Sequence, residues 1–170
     1  MTTYLVLTVI ADDKPGLVES LSQIVAAHDG NWLESSMSQL AGKFAGILRV
    51  SVNDELADDL IAALKAKEGD LKLLIERVSG DELGDAPLTV TLSLVGNDRP
   101  GIIKEISHCL AELAVNVEQL NTECTPAPMS ADILFKAKAT LRVPATITLD
   151  TLQSELEKLA DDLIVEVHAN

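Results

Sequence analysis

Laid over itself, this chain matches: residues 5–31 fall on residues 90–116, with identities at Leu7/Leu92, Asp13/Asp98, Pro15/Pro100, Gly16/Gly101, Ser22/Ser107, Ala26/Ala111 and Asn31/Asn116. Lys14/Arg99, Leu17/Ile102, Val18/Ile103 and Leu21/Ile106 are conservative pairs in the same alignment. Self-similarity at a fixed spacing means that one structural unit is built twice. The 170 residues, which length alone would read as one domain or two small ones, therefore divide into related domains at 1–79 and 88–170. The segment 80–87, acidic and carrying Gly80, Gly84 and Pro87, reads as the connector.

Each half reads strand, helix, strand, strand, helix, strand. Leu88, Val90, Leu92 and Leu94 alternate with Thr89, Thr91 and Ser93, the period of a half-buried strand. Pro100-Gly101 then opens a helix, with Pro at its first position and Ile102, Ile103, Ile106, Leu110 and Leu113 on one stripe. Its twin carries Leu17, Val18, Leu21, Ile24 and Val25 and stops at Asp29-Gly30. Strands are predicted at 31–40 with 44–52 and at 116–124 with 131–141, the first pair joined by a short Ala-Gly-Lys turn. Second helices are predicted at 54–67 (Leu56, Leu60, Ile61, Leu64 inward) and 148–162 (Leu149, Leu152, Leu156, Leu159 inward), and closing strands at 71–78 and 163–168. This βαββαβ order is the α+β, ferredoxin-like plan: an antiparallel sheet with both helices on one face. A half of roughly 80 residues buries only ~60% of its unfolded surface. Each half also leaves a bare edge strand. Both facts predict a joint between sheets, edge to edge or face to face, and leave room for a homo-oligomer.

Composition removes several function classes. Thirteen Lys+Arg stand against 27 Asp+Glu, a formal net charge of −14, whereas binding to phosphate backbones needs clustered cations. The aromatics are Tyr4, Trp32, Phe44 and Phe135, 2% of the chain, too few for a base-stacking platform. Direct nucleic-acid binding is thus not expected. The longest stretch without a charge, 86–97, has twelve residues, short of the ~18 of a membrane span. The opening apolar run ends in Asp12-Asp13 with no basic region before it, unlike a signal peptide. Cys109 and Cys124 read as reduced thiols, and the expected setting is the cytoplasm. His28, His108 and His168 share no metal-binding spacing, no nucleophile or phosphate-loop motif occurs, and neither cofactor nor enzyme activity is expected.

The duplicated element that carries chemistry is Asp13-Lys14-Pro15-Gly16 with Asn31, repeated as Asp98-Arg99-Pro100-Gly101 with Asn116, each Asn lying sixteen residues beyond the Pro. The residue before Pro is held extended, Gly lets a ligand approach the backbone, and free N–H groups at the positive end of a helix favour a carboxylate. A neighbouring Asp or Asn suits an ammonium. Together these describe a site for a free amino acid. Each part also has a plainer reading. Pro-Gly also starts helices that bind nothing, the Asp side chains also hold loop backbone, and the Asn residues also sit at awkward corners.

The βαββαβ order with Asp-basic-Pro-Gly at the first turn and the trailing Asn resembles the ACT domain, a regulatory amino-acid-sensing module. Two such halves, the stretch 30–40 and the Pro126 loop are similar to the glycine cleavage system transcriptional repressor family. In ACT domains the resemblance implies binding where the first turn of one domain meets the second strand of its partner. That sets Asp13, Lys14 and Gly16, or Asp98, Arg99 and Gly101, opposite Asn31 or Asn116, with Asn97 an extra polar group at the second turn. The His that some ACT sensors carry is replaced by Ala11-Asp12 and Gly96-Asn97. The resemblance implies glycine as ligand and a DNA-binding transcriptional regulator as protein partner; serine is the other small amino acid expected as a candidate. Two other readings are set against it. One is a small acylphosphatase-like hydrolase, with Arg99 cradling phosphate and Asn116 orienting water. The other is a structural dimerisation module that binds no ligand.

Overall fold

The computed structural model describes residues 1–80 and 88–170, so the connector expected at 80–87 lies, except for Gly80, outside the described residues. The chain divides into two compact units. The first runs β1 (Thr2–Asp12), α1 (Leu17–Ala27), β2 (Asn31–Leu40), β3 (Lys43–Asn53), α2 (Asp54–Lys65) and β4 (Lys72–Val78). The second repeats it as β5 (Leu88–Asn97), α3 (Ile102–Glu112), β6 (Asn116–Pro126), β7 (Ile133–Val143), α4 (Leu149–Glu157) and β8 (Ile164–Ala169). Sheet orders are β2-β3-β1-β4 and β6-β7-β5-β8, every neighbouring pair antiparallel. This is the ferredoxin-like arrangement read from the sequence.

Alternation decides which sheet face meets the helices. Leu5, Leu7 and Val9 of β1 and Leu48, Val50 and Val52 of β3 are buried with Leu17, Leu21 and Val25 of α1 and Ala57, Leu60 and Leu64 of α2. In the second unit Val90, Leu92 and Leu94 meet Ile106 and Leu110 of α3 and Leu152 and Leu156 of α4. Among the described residues no polar or charged residue is buried in either core. Val18, read as part of the inward stripe, is instead 46% exposed and faces the turn that precedes α1.

The duplication extends to irregularities. β2 bulges between Trp32 and Glu34, and β6 bulges at the equivalent place, between Val117 and Gln119. The β2–β3 hairpin closes through Ala41 and Gly42, both with positive φ (49° and 77°), as a two-residue turn between twisted strands requires. At the end of α1 the left-handed residue is Asp29 (φ 54°), not Gly30. Gly30 instead donates its N–H to Val25 O at 2.9 Å, the six-to-one bond of a Schellman ending. The second helices stop earlier than their apolar pattern. α4 ends at Glu157, and Asp161 and Asp162 lie beyond it.

Candidate functional site

The two Asp-basic-Pro-Gly turns leave the ends of the central strands β1 and β5 and are tied to the neighbouring hairpin. Asp13 donates its N–H to Gly42 O at 2.9 Å, and Asp98 donates to Ile133 O at 2.8 Å. Proline does not occupy the first helical position, as its sequence suggested. Helices begin at Leu17 and Ile102, and Gly16 and Gly101 are the N-cap residues, at φ 89° and 85°. Glycine is required there by the left-handed backbone. A Cβ at either position would meet nothing within 4 Å.

Neither cap supplies a side chain to the helix end. α2 and α4 differ: Asn53 Oδ1 accepts from Glu55 N–H at 3.2 Å, and Thr148 Oγ1 accepts from Thr151 N–H at 3.1 Å. In α1 the first intrahelical bond runs from Ser20 N–H to Gly16 O (2.9 Å), so the N–H groups of Leu17, Val18 and Glu19 lack intrahelical acceptors. They stand at a shallow pocket of about 230 Å³ lined by Asp13, Lys14, Gly16, Val18, Glu19 and Phe44 among others. Lys14 Nζ lies 3.8 Å from Asp70 Oδ1, both side chains more than half exposed. No hydrogen bond or ion pair engages the Asp13 carboxylate among the described residues.

The second turn is arranged differently. Arg99 grips Glu105 with both guanidinium arms, Nη1 to Oε1 at 3.0 Å and Nη2 to Oε2 at 2.5 Å. The bond to Arg99 holds the Glu105 carboxyl below its usual range, and the same bond, together with the charges of Glu105 and Asp162, raises Arg99. Asn97 donates its N–H to Asp162 Oδ2 at 2.9 Å. The Cys124 thiol has its pKa raised, first by loss of solvent and then by the Asp98 charge.

The structure does not bring either Asn to its own turn. Asn31 pairs with Ser51 on β3, whereas β1 ends at Asp12 opposite Lys43; at ~3.3 Å per residue these levels are roughly 26 Å apart. Asn116 pairs with Arg142, and Asn97 with Leu134, at the other end of β7. Arg99 and Asn116 therefore cannot form the joint cradle for phosphate and water that a hydrolase needs within one unit. Sequence reasoning missed Glu105, Cys124, Phe44 and the acidic pair Asp70 and Asp162. The pair had a signal: in both halves an Asp immediately precedes a buried Leu, Leu71 or Leu163.

A doubled βαββαβ fold with an uncapped first helix in each copy defines a tandem ferredoxin-like protein. Residues 3–77 and residues 85–167 each match the ACT domain. The chain belongs to the ACT-domain family, as two ACT domains in tandem. Over its length it is similar to the glycine cleavage system transcriptional repressor of Escherichia coli (strain K12), at 22% identity over 162 residues, covering 94% of this chain and 85% of that protein. Among solved structures it is similar to an unknown protein from Galdieria sulphuraria, at TM-score 0.87 and 24% identity over 100% of this chain and 99% of that one. A second structure, assigned to a glycine cleavage system transcriptional repressor, superposes with TM-score 0.72 at 18% identity, over 100% of this chain and 99% of that chain. Among the described residues no helix is long and apolar enough to cross a membrane.

Proposed function

We propose that this chain is a cytosolic amino-acid sensor that regulates transcription through a protein partner, without catalysis and without binding DNA itself. The observation that carries the reading is the bare N-terminus of α1 beside Asp13 and Lys14, in a unit whose other helix is capped by its own Asn53. A ligand carboxylate takes the unclaimed N–H groups of Leu17 and Val18, where the helix dipole favours an anion. Lys14 adds a positive charge, and the Asp13 carboxylate receives the ammonium. The second turn offers the same parts as Asn97, Asp98, Arg99 and Gly101. Asn31 and Asn116 take no part at the turns of their own units, which are out of their reach. Glycine and serine, small enough for a shallow pocket, are the ligands to test first. The partner is a DNA-binding regulator, in keeping with the repressor to which the chain is similar. The net charge of −14 supports contact with protein in place of DNA.

A thermal-shift screen of the full chain against the twenty amino acids, followed by calorimetric titration, tests the sensor reading. Stabilisation by glycine or serine is the expected result; no shift by any amino acid overturns it in favour of a structural dimerisation module. A gel-shift assay at physiological salt tests the second half of the reading. A salt-sensitive shift at sub-micromolar chain without a partner overturns the indirect mode.

A further inference from the structure

We propose that the two turns are not equivalent: the chain takes one amino acid, at residues 13–18, while Glu105 occupies the second turn in the ligand's place. The inference rests on the sensor reading and adds which half is competent and what closes the other.

Glu105 meets Arg99 as a ligand carboxylate would. The contact is bidentate, at 3.0 and 2.5 Å, the strong geometry of guanidinium–carboxylate pairs. Both side chains are partly withdrawn from solvent, at 36% and 44% exposure. The cleft between them, lined by Gly96, Ile102 and Leu163 among others, is too tight to admit a water molecule. The Ile102 N–H points towards Arg99 O at 3.5 Å. Arg99, the Ile102 N–H and the Asn97 N–H of the second turn thus each have a partner within their own unit.

Among the described residues the first turn has none of these partners. The residue equivalent to Glu105 is Ser20, whose N–H serves only to open the helix. Lys14 cannot form a planar fork, and among the described residues its one ion pair is the 3.8 Å contact with Asp70. The pocket beside it has a volume of about 230 Å³. A free amino acid entering the second turn must exchange one carboxylate for another on Arg99. It competes with a tethered group whose effective concentration is of millimolar order or above.

Titration calorimetry of the full chain with glycine and with serine is the test. One site per chain is expected, weakened at least tenfold by Asp13→Ala. Glu105→Ala should expose a second site, giving two per chain, and the Asp13→Ala/Glu105→Ala double variant should bind one. Glu105→Gln, which keeps the side chain's shape and removes its charge, is the milder variant should the alanine perturb folding, and should also raise the stoichiometry. Two sites in the wild-type chain, or one site indifferent to Asp13→Ala, overturn the inference and leave the sensor reading standing. No heat from the wild type or the Glu105 variants with either probe, and no thermal shift with any amino acid, overturns both.

Discussion

Asn97 at the end of β5 donates its backbone N–H to the carboxylate of Asp162, which lies on the connection from α4 to β8, at 2.9 Å. One charged acceptor thereby ties the start of the Arg99 turn to the entry of the neighbouring edge strand β8. In the first unit Asp70 holds the equivalent place, but its contact is with the Lys14 side chain at 3.8 Å. Asp162→Ala should therefore cost about 1 kcal/mol, the net worth of a solvent-accessible hydrogen bond, and Asp162→Asn, which keeps an acceptor, less. Asp70→Ala should stay within about 0.5 kcal/mol, as exposed ion pairs do. Urea unfolding of the three variants measures this, and equal losses for Asp162→Ala and Asp70→Ala contradict it.

Glycine at the two N-caps is there for its backbone, not for room. Gly16→Ala and Gly101→Ala should each destabilise by about 1–2 kcal/mol, the cost of a left-handed L-residue, although the added methyl group meets open space. Gly69→Ala is the control, with equally open surroundings and no positive φ, and should be close to neutral. A similar loss at all three positions in denaturant melts refutes the distinction.

Gly46 answers to a different constraint. A Cβ there would lie 2.3 Å from Ser36 O and 2.7 Å from Met37 Cα, both backbone atoms of β2. Gly46→Ala should cost about 3 kcal/mol, the upper end of overpacking penalties, because β2 must move as a strand. A melting temperature unchanged by this substitution rules out the close approach.

Acid should uncouple Arg99 from Glu105. The Glu105 pKa is depressed in the folded chain by its bond to Arg99, so the unfolded chain binds its proton more readily. The stability contributed by this pair is in place above the unfolded carboxyl pKa of about 4.3 and is lost as pH falls through the lower folded value. Thermal melts from pH 7 to pH 3 should show a constant gap between wild type and Glu105→Gln near neutrality. That gap should shrink below about pH 4. A gap that persists at pH 3 speaks against the linkage.

The side-chain caps offer a local check. Asn53→Ala and Thr148→Ala should each cost about 1 kcal/mol by freeing the helix N–H groups they satisfy. Chemical denaturation monitored by circular dichroism reads this directly, and no loss at either position removes the contrast between the capped and the bare helices.

Much of the fold was written in local pattern. Alternation of Val90, Leu92 and Leu94 and the leucine spacing of α2 are properties of a few consecutive residues, and burial of one face follows from them. Repetition then settled the architecture, because two segments with the same pattern fold alike; β2 falls at Asn31–Leu40, as read. What the sequence could not determine depends on residues distant along the chain. Pro15 and Pro100 looked like first helical residues, but the bonds from Asp13 to Gly42 and from Asp98 to Ile133 set how the turns leave the sheet, and glycine became the cap. The apolar spacing carried α4 through Asp162; in the fold the helix stops at Glu157, and Asp162 serves Asn97 instead. Spacing set Asn31 and Asn116 beside the turns as a motif. The antiparallel register sets them at the opposite end of the sheet, because a strand of ten residues carries its two ends tens of ångströms apart. Arg99 was legible as a cation. Only the first turn of α3, by raising Glu105 beside it, decided that this cation is already paired.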